Sequence, residues 1–210
     1  MAYSVAISAY LERIEGLLED KTEASLLYAA VELRCGVEAR MKEYLEPLEH
    51  IPKSQKKEWA IAKLGLSIEN AFRTGDKIMI FTVRSPRLDA ECTLMYIPVS
   101  SRLQEIACRL GDYLHVPKRR SVEGPAWWGN LRELLGEGYG ELLLANSGEL
   151  IGLPLLHKTT GQTNVRAVIP AGDPRSSFLA EIAVSGDAHV TSVQYIEPLP
   201  GKKTFGVEEG

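Results

Sequence analysis

The sequence predicts an α+β protein: a helical N-terminal part with an inserted β-hairpin, followed by a small antiparallel sheet or partial barrel. Three observations predict this class. Apolar residues recur at helical spacing through most of the first 138 positions. Two runs rich in β-forming residues, 77–83 and 91–99, interrupt that spacing and lie only seven residues apart. After Gly140, short apolar runs alternate with residues that turn a chain easily.

Ile7, Leu11, Ile14 and Leu18 fall at spacings of four, three and four, which places them on one face of a first helix. Asp20, with Glu23 three residues on, and Thr22 are both competent N-caps for a second helix, because either oxygen can accept from an unpaired first-turn N–H. That helix runs over about 23–46, carries Leu26, Ala30, Leu33, Val37, Met41 and Tyr44 on one stripe, and stops before Pro47. A third is signalled by Ser54 as cap, by Ile61, Leu64, Ile68, Ala71 and Phe72, and by Gly75 as a left-handed terminator. The hairpin follows. Ser101 with Gln104 restarts the helices, Leu103, Ile106, Leu110 and Leu114 line the fourth, and Pro117 bounds it. A short fifth helix holds Trp127, Trp128, Leu131, Leu134 and Leu135 ahead of Gly136 and Gly138.

Beyond it, the runs 141–145, 149–157, 164–169, 178–184 and 189–196 read as strands, and their short separators imply antiparallel pairing. Pro154 puts its strand at an edge or breaks it. The expected organisation is a mainly helical domain over 1–138 with the hairpin at about 77–99, an antiparallel β region over 139–198, and a flexible tail over 199–210.

Of 210 residues, 45% are hydrophobic and 25% charged, and the mean hydropathy is −0.09. Such a chain can build a core and is neither disordered, collagen-like nor a disulfide-dense miniprotein. No window approaches the roughly 18 unbroken apolar residues of a membrane helix, and the start lacks a basic leader region. Cys35, Cys92 and Cys108, odd in number and far apart, suit a reducing compartment, so the expected location is the cytoplasm, with no membrane partner.

A net charge of −4 argues against a surface built throughout for polyanions. Locally, Lys118, Arg119 and Arg120 form a basic run after Arg109 and His115, and Lys53, Lys56 and Lys57 form another. In the second helix Arg34 and Glu38 are neighbours at i,i+4 and suit a weak, partly exposed ion pair. The four histidines are isolated, and no short pairing of metal ligands occurs, so the sequence calls for no metal and no cofactor. Phosphate-cradling glycine loops and the GxSxG elbow are also missing.

One pattern with chemistry in it is the run from Arg109 to His115, an arginine and a histidine with five residues between them. An arginine keeps its charge and forks onto phosphate, while a histidine titrates near neutral pH. This run, with ELRCGVE in the second helix, resembles the HEPN superfamily, helical domains of bacterial defence and toxin systems. The resemblance covers residues 1–116 and implies a metal-independent endoribonuclease in which Arg109 stabilises charge on the scissile phosphate and His115 moves protons. It also implies a site often built across a homodimer, with Lys118, Arg119 and Arg120 guiding the RNA backbone. On one continuous helix, six residues turn the two side chains about 120° apart, so convergence needs a break at Gly111 or a second protomer.

An Arg–His pair at such spacing arises by chance about once in a chain of this composition. The first functional reading is therefore a non-catalytic binding or interaction protein, in a defence or toxin setting, with a protein or RNA partner; the ribonuclease is the alternative. Trp127 and Trp128 lie 100° apart on a helix, so one faces the core while the other covers an interface between the two parts.

Overall fold

The protein is described by a computed structural model over residues 3–20, 22–114, 124–156, 163–170, 172–186 and 189–197. In chain order the described elements are α1 (Ile7–Asp20), α2 (Glu23–Leu45), α3 (Lys53–Lys56), α4 (Ile61–Phe72), β1 (Ile78–Ser85), β2 (Ala90–Tyr96), α5 (Ser101–Leu114), α6 (Pro125–Ser147), β3 (Leu155–Leu156), β4 (Thr163–Asn164), α7 (Arg175–Ser185) and β5 (His189–Ile196). This is an α+β fold with a helical N-terminal part and a small antiparallel sheet. Two compact units divide it. The helical unit takes the chain through Gly75 together with Val99–Asn146; the strand unit takes Asp76–Pro98 together with Ser147–Pro198. The division therefore differs from one at 138/139, because β1 pairs with β5 as well as β2 and so joins the hairpin to the later strands. The tail over 199–210 lies outside the described residues.

In the helical unit, α1 buries Ile7, Tyr10, Leu11 and Ile14. Thr22 caps α2: its hydroxyl accepts from the Ser25 N–H at 3.1 Å and donates to the Asp20 carboxylate at 2.9 Å. α2 packs against α1, α4 and α5, with Leu26, Ala29, Leu33, Val37 and Met41 inaccessible to solvent. Ser54 falls in α3 and does not start the next long helix. α4 starts from Ala60 without a side-chain cap; just ahead of it the Glu58 carboxylate accepts from the N–H groups of Ala60 and Trp59 at 3.1 and 2.9 Å and pairs with Lys63. The Ala60 and Trp59 N–H groups, then Lys63, hold its carboxyl below the usual range. A carboxylate at a helix start also meets the positive end of the helix dipole. Arg73 ends α4 in the left-handed region, φ 55°, with Gly75 following at φ 56°. Ser100, one residue earlier than expected, caps α5 by accepting from the Leu103 N–H at 3.0 Å.

α6 runs through Gly136, Gly138 and Gly140, where the sequence suggested an end. Each helical glycine gives up about 1 kcal/mol relative to alanine, yet the helix buries Leu131, Leu134, Leu135, Tyr139, Leu142 and Ala145 at helical spacing. Tertiary burial outweighs propensity. A Cβ at Gly138 would stand 2.7 Å from Leu33 and 2.9 Å from Ile106, both fully buried, so the glycine lets α6 approach α2 and α5. Gly36 plays the same part on α2, where a Cβ would meet Leu142 at 2.9 Å and Tyr10 at 3.2 Å. Arg40, only 4% exposed, joins α2 to α6 by donating to the Ala145 carbonyl at 2.9 Å.

In the strand unit the sheet order is β2-β1-β5, antiparallel throughout. Met79, Phe81 and Val83 lie opposite Tyr96, Leu94 and Cys92, all buried. β5 coincides with the run 189–196. The run 178–184 is instead within α7, flanked by Pro174 and by Gly186 at φ 65°, and 141–145 belongs to α6. Short apolar runs carry no periodicity that separates buried helix from strand, which is why both were misread. The runs 149–157 and 164–169 shrink to the two-residue pair β3–β4 and a bridge between Leu150 and Ala167.

Asp173 and Arg175 do more than turn the chain. Arg175 donates to Asp173 at 2.7 and 3.0 Å, to Glu149, and to the Thr93 carbonyl at 3.3 Å. Glu149 in turn accepts from the Met95 N–H at 3.0 Å, so one polar network ties β2 to the start of α7.

Gly136 has nothing within 4 Å of an added Cβ, so Gly136→Ala raises the unfolding free energy by about 0.5–1 kcal/mol, whereas Gly138→Ala lowers it by about 1–3 kcal/mol; urea titration compares them. Arg175 holds the Asp173 carboxyl below its usual range. A depressed carboxyl contributes stability that is present above its unfolded value, about 3.9, and lost as pH falls through the folded one. Thermal unfolding followed into acid therefore falls less steeply for Asp173→Asn than for the parent chain.

Candidate functional site

Arg109, Asp112 and Tyr113 stand at i, i+3 and i+4 near the end of α5, which puts them on one flank. Trp127, in the first turn of α6, faces them. Together the four line an open cleft of about 280 Å³ in the helical unit. The Tyr113 and Trp127 ring centroids are 4.8 Å apart with planes tilted by 52°, and Trp127 meets Trp128 edge-on at 4.5 Å. All three rings are half-buried, so neither tryptophan is a fully enclosed core residue. Aromatic groups that keep one face open suit stacking on another flat ring.

Arg109 is 48% exposed, and its ion pair with Glu105 is long, 3.9 Å. Glu105 is engaged more closely by Arg102 at 2.9 Å, which also forks onto Glu137 with two bonds of 2.7 Å. Arg109 therefore presents its guanidinium at the cleft rim with little competition from its own helix.

α5 is continuous through Gly111 to Leu114, so Gly111 does not break it. The glycine serves another purpose. Arg34 reaches from α2 to donate to the Ala107 carbonyl at 3.3 Å, and a Cβ at Gly111 would lie 2.8 Å from its guanidinium. Arg34 and Glu38 are thus not paired with each other: Glu38 binds Lys42. Of the residues singled out from sequence, Arg109 lies at the cleft, while His115, Lys118, Arg119 and Arg120 fall outside the described residues. Asp112, Tyr113 and the cleft-facing role of Trp127 were missed. The signal available was the i,i+3,i+4 spacing on α5 followed by a tryptophan pair at the next helix start.

A second groove, of about 480 Å³, is lined by residues of α1 and α2 including Tyr10, Cys35, Glu38 and Glu43. Two of its carboxylates are engaged: Glu38 by Lys42, and Glu43 by Arg40 at 3.0 Å. Burial pushes the thiols of Cys35 and Cys92 up, opposite to the depression that activates a cysteine nucleophile. Among the described residues no three metal-ligating side chains converge, and no helix is long and apolar enough to cross a membrane. Comparison with family models, characterised proteins and solved structures gave no match to the chain.

The aromatic contacts predict that Tyr113→Ala uncovers Trp127 and lowers stability by about 0.5–1.5 kcal/mol. The check is tryptophan emission, which should shift to longer wavelength in the native state, alongside urea unfolding.

Proposed function

We propose that the chain is a non-catalytic binding protein of the cytoplasm whose α5–α6 cleft takes single-stranded RNA. One observation carries the reading: an exposed guanidinium, Arg109, stands over the same cleft as the half-open rings of Tyr113 and Trp127. An unstacked base can lie on an aromatic face while its phosphate meets the arginine, and a duplex offers no such base. Recognition there rests on stacking and on the Arg109 charge, with Asp112 beside it, instead of an edge-by-edge reading of sequence.

Base–aromatic stacking is worth about 1–3 kcal/mol per base, so Trp127→Ala should weaken binding of a short labelled oligouridine by about tenfold to a hundredfold in fluorescence anisotropy. Arg109→Ala should weaken it less and flatten its salt dependence, since each neutralised phosphate adds about 0.7 to the slope on single strands. The oligonucleotide should be recovered intact in the presence of chelator. Cleavage that His115→Ala abolishes would replace this reading with the ribonuclease. Affinity unchanged by Trp127→Ala would remove the cleft from consideration.

A further inference from the structure

The two edges of the three-stranded sheet are treated differently. At the β2 edge, the Met95 N–H donates to Glu149, the Met95 carbonyl accepts from the Leu150 N–H at 2.9 Å, and the Thr93 carbonyl accepts from Arg175. That edge is occupied. β5, at the other edge, pairs with β1 alone, and among the described residues no strand lies beside its outward row of N–H and C=O groups. Such a row is a template for another strand.

The side chains of β5 add a second, independent observation. Cross-strand partners share a face of the sheet, and the register sets Val193 beside Phe81 and Tyr195 beside Met79. Phe81 and Met79, with Leu94 and Tyr96 beyond them on β2, are buried, whereas Val193 is 45% and Tyr195 53% exposed. The apolar face that is covered over β1 and β2 is thus left open where it reaches β5. The stretch 192–196 (SVQYI) carries no charge and no proline, the devices by which edge strands usually repel one another.

We propose that β5 is a homodimer interface, in which two copies join edge to edge across a two-fold axis into one six-stranded antiparallel sheet. A second copy is the occupant that this strand fits by itself. A two-fold axis perpendicular to the sheet requires opposed residues of equal parity, and placing it at Gln194 sets Val193 opposite Tyr195 of the second copy, twice. Both pairs lie on the open apolar face, and aromatic–β-branched pairs are among the favourable cross-strand combinations. No like charges meet in this register. It uses the straight part of β5, beyond the bulge that the β1 register shows between Thr82 and Val83.

Light scattering on the full chain across about 5 to 100 μM tests this, with an expected mass of twice 23.2 kDa. Val193→Lys should give a monomer with an unchanged far-ultraviolet circular dichroism spectrum. Val184→Lys, at a position 90% exposed on α7, should leave the dimer intact. If lysine at position 193 disturbs the fold, the double variant Val193→Thr with Tyr195→Thr keeps strand propensity and should raise the dimer dissociation constant by about tenfold. A parent chain that is monomeric throughout overturns the proposal. So does a dimer that the substitutions in β5 leave unaffected, or one that Val184→Lys dissolves equally.

Discussion

The close approach of α1, α5 and α6 to α2 is the constraint on which the helical unit depends. Two glycines make it possible. Gly36 admits Tyr10 and Leu142 to the surface of α2, and Gly138 admits Leu33 and Ile106 to that of α6. Interiors this dense leave no room for an extra methyl group, so small residues at crossing points decide which helices can meet. The same crossings set α5 and α6 side by side, and the candidate cleft lies between the end of one and the start of the other.

Arg40 completes this arrangement. Taking a guanidinium out of water is expensive unless its donors find partners. Burial works against its charge, but Tyr44 and Glu43 outweigh that and keep it firmly protonated. One donor goes to the Ala145 carbonyl in the last turn of α6, where helix geometry leaves carbonyls without intrahelical partners. The bond thereby satisfies a helix end and a buried charge at once. Its register is specific, because sliding α6 by a residue would take the Ala145 carbonyl away from this donor, while Tyr44 and Glu43 on α2 would keep theirs.

Legibility in the sequence followed the strength of local signals. α1, α2, the hairpin and β5 were readable because their periodicity and end signals agree: the Thr22 cap, Pro47 after α2, and alternating β-formers in the paired strands. The α+β class was readable for the same reason. α6 was not, since three glycines look like a terminus until one knows that Gly138 lies against Leu33 and Ile106. α7 was not, because FLAEIAV is apolar in a way that suits either structure. Helix starts were misplaced where the expected cap did not act: Ser54 falls in α3 while α4 starts without a side-chain cap, and Ser100 instead of Ser101 caps α5. At the cleft, Arg109 was legible only through its spacing from His115, whereas Asp112 and Tyr113 became candidates once α6 brought Trp127 to the same cleft.

The chemistry on offer at that cleft is modest: flat aromatic faces beside one cation, Arg109, and one carboxylate, Asp112, in a chain whose net charge is −4. Attraction to a polyanion over long distances is weak in such a protein, so affinity must come from contact at the rings. The most direct measurement is a titration of unlabelled single-stranded RNA into isotopically labelled protein, watching the three tryptophan indole N–H resonances. The account predicts that the Trp127 signal moves with Trp128 beside it, while that of Trp59, exposed ahead of α4, stays in place. Resonances that all remain fixed at saturating RNA, or a shift confined to Trp59, would contradict it.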